Sequence, residues 1–177
     1  MTDAAVAPLE RAQKLAESAA TVAVVAAVLI AIGAVVEVAA PAVRALGSGE
    51  VTPDWRGALT LFRTVGAFLV LALPGFLLAG ALHELSKVLD EYGKGQFFTL
   101  RASVGVRKAA ESALWALAAK ILISPTVFSW ITQEGRGFIW NFEPFDLGLM
   151  AFAAFVAVLG RVLEAGARIK EENDQIV

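Results

Sequence analysis

Residues 18–36, SAATVAVVAAVLIAIGAVV, form an uncharged run of 19 residues between Glu17 and Glu37. An α-helix rises about 1.5 Å per residue, so this run is about 28 Å long and matches the ~30 Å hydrocarbon core of a bilayer. A surface helix of a soluble protein would carry charged residues along one face. The stretch therefore predicts a transmembrane helix.

Three more apolar runs follow. Residues 64–82 carry no charge, residues 112–133 carry only Lys120, and residues 147–160 are uncharged and reach spanning length if continued to about Ala165. The sequence thus predicts an all-α fold, a single transmembrane domain over residues 1–177. We expect a four-helix bundle with spans at about 18–39, 62–83, 110–131 and 145–165, a connection at 84–109 and a tail at 166–177.

Lysine and arginine near the ends of the spans predict the orientation, because cytoplasmic loops are enriched in both. One side carries ten: Arg11, Lys14, Lys87, Lys94, Arg101, Arg107, Lys108, Arg161, Arg168 and Lys170. The other side carries four: Arg44, Arg56, Arg63 and Arg136. We expect both termini and the middle connection in the cytoplasm, as in a multi-pass protein of the bacterial inner membrane.

Composition limits the chemistry. The chain is 58% hydrophobic and 18% charged, with a net charge of −2, no cysteine and one histidine. Bulk attraction to nucleic acid, a disulfide framework, a thiol nucleophile and a multi-histidine metal site are therefore not expected. Nor does any nucleophile stand at a recognisable spacing from a base. We expect no enzyme activity, no catalytic residue, no metal and no cofactor.

The second helix is expected to continue past the membrane. Leu82, Leu85 and Val88 keep a helical spacing beyond the apolar run, until Gly93 and Gly95 end the pattern. Thr99 is a plausible N-cap for the next helix. Proline occurs within two spans, at Pro74 and Pro125, where a static packing kink and a moving hinge are both open.

Lys120 is the most informative single residue, because a charge within a span is costly unless it is paired or reaches the interface. Several ionisable residues of neighbouring helices lie nearer the same predicted cytoplasmic side. The predicted intramembrane polar cluster consists of Lys120, His83, Glu84, Arg161 and Glu164, with Glu84 or Glu164 as the partner of Lys120. Helix fastening, simple snorkelling and an ion or proton path are all open.

Two short motifs allow a comparison with a known family: KGQFFT at 94–99, followed by Arg107, and GARIKEENDQIV at 166–177. In these motifs the chain resembles the domain-of-unknown-function family 2975, a family of small bacterial membrane proteins. The resemblance implies four membrane helices and no established activity. It also implies companionship with small helix-turn-helix regulators, and therefore sensing or sequestration at the membrane.

The leading hypothesis is a non-enzymatic membrane protein that acts through protein–protein contacts, as a regulator or as an accessory subunit of a larger complex. Its predicted contact residues are Phe97, Phe98, Arg101, Arg107, Glu171, Glu172, Asp174, Ile176 and Val177. The alternative is a small oligomeric transporter or channel that uses the Lys120 cluster. Small residues at near four-residue spacing, among them Gly75 on the second helix and Gly160 on the fourth, make a homo-oligomer possible.

Overall fold

The computed structural model of this protein describes residues 3–48, 53–97, 99–132, 135 and 137–174. Within these residues the chain is all α-helical: α1 is Asp3–Gly47, α2 is Trp55–Gly93, α3 is Leu100–Ala118, α4 is Ser124–Thr132 and α5 is Pro144–Asp174. A π-helical turn, Ala119–Ile123, joins α3 to α4 in one continuous helix, Leu100–Thr132. No described residue lies in a β-strand.

Four helices are long and apolar enough to cross a membrane: Leu9–Gly47, Trp55–Gly93, Leu100–Thr132 and Pro144–Asn173. This confirms the all-α fold with four membrane helices. The helices have 30 to 39 residues, whereas about 20 residues suffice to span the hydrocarbon core. Each helix must therefore extend beyond the apolar layer.

The continuation of α2 beyond its apolar run is also confirmed, since the helix runs to Gly93. Gly95 then adopts a φ of +79°, in the left-handed region that suits glycine, and the chain turns back. The hydroxyl of Thr99 accepts a hydrogen bond from the backbone N–H of Ala102 at 3.1 Å, so the predicted N-cap is confirmed. We call residues 94–99 the connector, and the end of the bundle that carries them the connector end.

The helices pack as an open series. Among the described residues the backbone of α1 comes close only to α2, that of α2 also to α3, the π-helical turn and α4, and that of α5 only to α3. The buried positions are mostly alanine, while large apolar side chains such as Leu29, Phe62 and Phe155 point outward. This arrangement, with small residues inside and large apolar residues outside, is expected in a lipid bilayer. There the hydrophobic effect does not drive large apolar side chains into the protein interior, and small residues let the helix backbones approach closely.

Small residues mediate the closest helix contacts within the chain. Gly75 faces Ala34 of α1, where an added Cβ would lie 3.4 Å from the alanine Cβ. Gly160 of α5 lies against the backbone of Arg107, where an added Cβ would lie 2.8 Å from the arginine backbone nitrogen. Both glycines, whose spacing made a homo-oligomer possible, are thus used inside one protomer.

Pro74 and Pro125 each leave a carbonyl without its helical hydrogen bond, and both of these carbonyls have another donor. Proline has no N–H, so Pro74 leaves the carbonyl of Val70 without its helical bond. The hydroxyl of Ser124 donates to this carbonyl at 2.7 Å. Pro125 frees the carbonyl of Ile121 in the same way, and the backbone N–H of Asn141 donates to it at 3.0 Å. These tertiary bonds tie α2, the π-helical turn and the segment before α5 together, which favours static kinks.

Candidate functional site

The segment before α5 is extended and lies along α4. The hydroxyl of Thr126 donates to the carbonyl of Ile139 at 3.0 Å and accepts from its N–H at 3.2 Å, and the N–H of Asn141 bonds the carbonyl of Ile121. Successive contacts with the α4 side of the bundle therefore fall on every second residue of 137–143. The segment runs along α4 from its C-terminal part toward the π-helical turn, so α5 begins beside that turn and not beside the C-terminal end of α4.

Lys120 pairs with the first turn of α5. Its ammonium donates to the Asp146 carboxylate at 2.7 Å, and the Glu143 carboxylate lies 3.7 Å away. Asp146 is fully buried, while the Lys120 side chain is 39% exposed. The second Asp146 oxygen accepts the backbone N–H of Glu143 at 3.1 Å, and Pro144 stands at the first helical position. This is half of a capping box, with a carboxylate at the positive end of the helix dipole.

The predicted pairing of Lys120 with Glu84 or Glu164 is wrong. Gly160 fixes the register of α5 against Arg107. Asp146 precedes Gly160 by 14 residues and Lys120 follows Arg107 by 13, so in two antiparallel helices they lie at the same depth. The sequence interpretation set the start of α5 at the membrane boundary, because it did not foresee that an extended segment carries the chain inward first.

The other members of the predicted cluster lie near the connector end, apart from Lys120. Glu164 accepts hydrogen bonds from Arg107 at 3.2 Å and from Arg168 at 2.7 Å. Arg107 also bonds Glu111 at 3.0 Å, and Arg161 lies 3.9 Å from Glu111. These charges join α3 to α5 beside Gly160. The carboxylate of Glu111 raises the pKa of the Arg107 guanidinium, which therefore stays charged.

Glu84 and His83 take no part in either group of charges. Glu84 accepts a hydrogen bond from Lys87 at 2.8 Å, one turn along α2. This bond is the main reason that the pKa of Glu84 is lowered from its usual value. His83 is exposed. Neighbouring side chains of a helix point about 100° apart, so His83 and Glu84 do not converge on one substrate atom.

Two clefts open at the connector end, each of about 540 Å³. They share Glu84, Arg101 and Gly105, and their other lining residues differ. One cleft is completed by Lys87, Val88, Asp90, Glu91, Lys94 and Gln96. The other is completed by Thr99, Leu100, Val104, Lys108 and Glu171. We call the two clefts together the connector surface. It carries positively and negatively charged side chains and includes Glu171 near the end of α5.

The predicted contact residues are only partly brought together. Arg101 and Glu171 line the same cleft. Phe97 instead stacks on Tyr92, with ring centroids 5.6 Å apart, and Arg107 is committed to the α3–α5 charges. Glu172 is exposed and Asp174 is the last residue of α5. Phe98, Ile176 and Val177 lie outside the described residues.

Asp146 and Glu143 are the partners of Lys120 that the sequence did not predict. Their signal was the short pattern Glu143-Pro144-Phe145-Asp146, a proline at the first helical position with an acid two residues later. Among the described residues, no group of three histidine or acidic side chains could hold a metal ion.

Comparison with known protein families shows to which family the chain belongs. The sequence profile of the family described as "Protein of unknown function (DUF2975)" matches residues 12–177. The chain belongs to this family. No curated protein and no solved structure matches it. With its four apolar helices, this DUF2975 member is a multi-pass membrane protein.

Proposed function

We propose that this DUF2975 member is a non-enzymatic protein of the bacterial inner membrane that binds a protein partner, as a membrane-bound regulator or as an accessory subunit. Its termini and connector lie in the cytoplasm, and the partner binds the connector surface. The observation that carries the proposal is the pair of clefts at the connector end, where α2 and α3 extend beyond the apolar layer.

The charge pattern of the connector surface suits a polar partner. Arg101 is 90% exposed, and its closest acid, the Glu91 carboxylate, is 3.6 Å away. An ion pair of this length with a solvent-exposed arginine contributes little to stability. Arg101 is therefore available to a partner carboxylate, and the Thr99 hydroxyl holds Glu91 in place from the other side at 3.0 Å.

The test is purification of the tagged protein from native membranes in mild detergent, comparing the wild type with Arg101→Glu. Arg56→Glu is the matched control, because it makes the same change of charge at the opposite end of α2, where Arg56 lies over Trp55. We expect one stoichiometric partner with the wild type and the control, and its loss with Arg101→Glu. A partner retained by all three proteins, or none with the wild type, would contradict the proposal.

The alternative function is transport, and the observation that favours it is the Lys120–Asp146 pair at membrane depth. Ionisable residues within spans often mark ion or proton pathways. A proton-coupled transporter would lose flux in reconstituted vesicles when both charges are removed by Lys120→Leu/Asp146→Asn. A protein that acts by binding a partner would keep that partner in the same variant. This one double variant therefore distinguishes the two proposed functions.

A further inference from the structure

An apolar groove runs along α3 between α2 and α5. Among the described residues the backbones of these two helices flank α3 without approaching each other, and they leave its outer face open between them. Two adjoining cavities of about 360 and 160 Å³ occupy the groove and share Leu78, Ala113, Phe152 and Ala153. Alanines of α3 form its floor, so its depth comes from the absence of large side chains there.

The groove has one polar end. Lys120 and Asp146 line the larger cavity, together with Pro74 and Phe145. Lys120 lies nine residues beyond Glu111 and twelve before Thr132, or about 13 and 18 Å along the helix. The polar end is thus near the middle of the bilayer, whereas the apolar end, at Leu85 and Val106, is near the connector end.

This end of the groove offers unused hydrogen-bond donors. An ammonium has three N–H donors. Among the described residues one of them is used, toward Asp146 at 2.7 Å, since Glu143 at 3.7 Å is beyond hydrogen-bond distance. Both oxygens of the buried Asp146 are already bonded. The free N–H donors of the ammonium therefore suit a ligand that presents a hydrogen-bond acceptor, such as a carbonyl oxygen.

Charge excludes an anionic ligand. Lys120 already lies between two carboxylates, so a fatty-acid carboxylate would place a third negative charge beside them. A phospholipid cannot place its polar ester region here either, because that region stays near the membrane surface, while Lys120 is near the bilayer centre. The remaining class is a neutral, carbonyl-bearing lipid whose polar head can reside deep in the membrane.

We propose that the groove binds an isoprenoid quinone, with a ring carbonyl accepting a hydrogen bond from Lys120 and the apolar tail lying on the alanine floor toward Val106. Phe145 and Phe152 are 72% and 67% exposed and give the larger cavity two flat aromatic walls for the ring. This inference goes beyond the proposed partner binding and does not depend on it. The groove and the connector surface lie on some of the same helices but are lined by different residues.

The test uses the whole protein in nanodiscs of synthetic phosphatidylcholine, photolabelled with an azido-ubiquinone and competed with decylubiquinone. Labelled peptides are mapped by mass spectrometry. Ala113→Phe fills the groove, and Ala154→Phe is the matched control on an exposed position of α5 outside it. Lys120→Leu/Asp146→Asn removes the ammonium together with the buried carboxylate, and the donor that remains, a carboxamide, is neutral.

We expect saturable labelling of peptides that contain residues 113–120 and 145–153, competed by decylubiquinone, in the wild type and in Ala154→Phe. Ala113→Phe and the double variant should each weaken apparent affinity about tenfold or more, the effect of one charge-assisted hydrogen bond or of a filled site. Unsaturable labelling, or equal labelling of wild type and Ala113→Phe, would overturn the proposal. Loss in Ala113→Phe with full retention in a folded double variant would overturn the role of Lys120. If the double variant fails to fold, Ala113→Phe against Ala154→Phe decides.

Discussion

At the scale of single residues, Ser124 has a defined role that its sequence position does not reveal. Its hydroxyl donates to the Val70 carbonyl that Pro74 leaves free. In lipid no water replaces a lost donor, and measured side-chain hydrogen bonds between membrane helices average about 0.6 kcal/mol and reach about 1.7. We therefore expect Ser124→Ala to destabilise the protein by about 1 kcal/mol.

The measurement is reversible unfolding of wild type and Ser124→Ala in mixed micelles, followed by circular dichroism. Ser86→Ala is the control, since the buried Ser86 hydroxyl bonds the His83 carbonyl within its own helix at 2.7 Å. That carbonyl keeps its helical partner after the substitution. Equal stability of the two variants would show that the Val70 carbonyl does not depend on Ser124.

The Lys120–Asp146 pair is a second residue-scale prediction. Removing one member of a buried pair leaves an uncompensated charge, whereas removing both leaves none. Because Asp146 is fully buried, we expect Lys120→Leu alone to destabilise the protein more than Lys120→Leu/Asp146→Asn. The amide at 146 keeps an oxygen for the Glu143 N–H. Thermal unfolding of the three proteins in one detergent checks the order, and a single variant as stable as the double would contradict it.

At the scale of elements, the extended segment 137–143 is unusual for a membrane protein. Ile139 and Asn141 bond the α4 side of the bundle, whereas within the described part of the chain the backbone N–H and C=O groups of Phe138, Trp140 and Phe142 have no hydrogen-bond partner. Non-helical backbone at membrane depth is tolerated where it is buried in protein or meets water, and not where it faces lipid. Trp140 of the segment is exposed, and tryptophan is enriched at membrane interfaces.

We therefore expect water to reach this segment from the end opposite the connector. The chain has no cysteine, so Trp140→Cys can be probed directly in intact cells with a membrane-impermeant maleimide. Labelling is expected at position 140. Phe152→Cys, on the exposed side of α5 in its apolar stretch, should resist the reagent. Protection of both cysteines would mean that another polypeptide covers the segment.

The element scale also shows what the sequence could and could not predict. Uncharged runs predict membrane helices directly, because length and apolarity are local properties, and the extension of α2 and the Thr99 cap were equally local. The partner of Lys120 depends on the register of α5 against α3. That register is set by the close approach of Gly160 to the Arg107 backbone and by the inward course of 137–143. Both are long-range, so spacing along the chain does not encode them.

At the scale of the whole molecule, the open series of helices separates two regions. The connector surface is polar and is formed where α2, α3 and α5 extend beyond the apolar layer, while the groove lies among their apolar parts. α3 takes part in both. A ligand in the groove and a partner on the connector surface would thus contact the same helix at adjoining positions, since Val106 lines the groove and Gly105 lines both clefts.

Orientation is the whole-molecule property on which the proposed function depends. Ten Lys and Arg residues near the connector end and the two termini, against four at the other end, predict a cytoplasmic connector. In the cysteine-free chain, Lys94→Cys and Ser48→Cys place one thiol at each end of the bundle. We expect the impermeant maleimide to label Ser48→Cys in intact cells and Lys94→Cys only after permeabilisation. The reverse result would put the connector surface outside the cytoplasm. It would contradict the role of a cytoplasmic regulator as partner, while leaving the groove and its quinone test untouched.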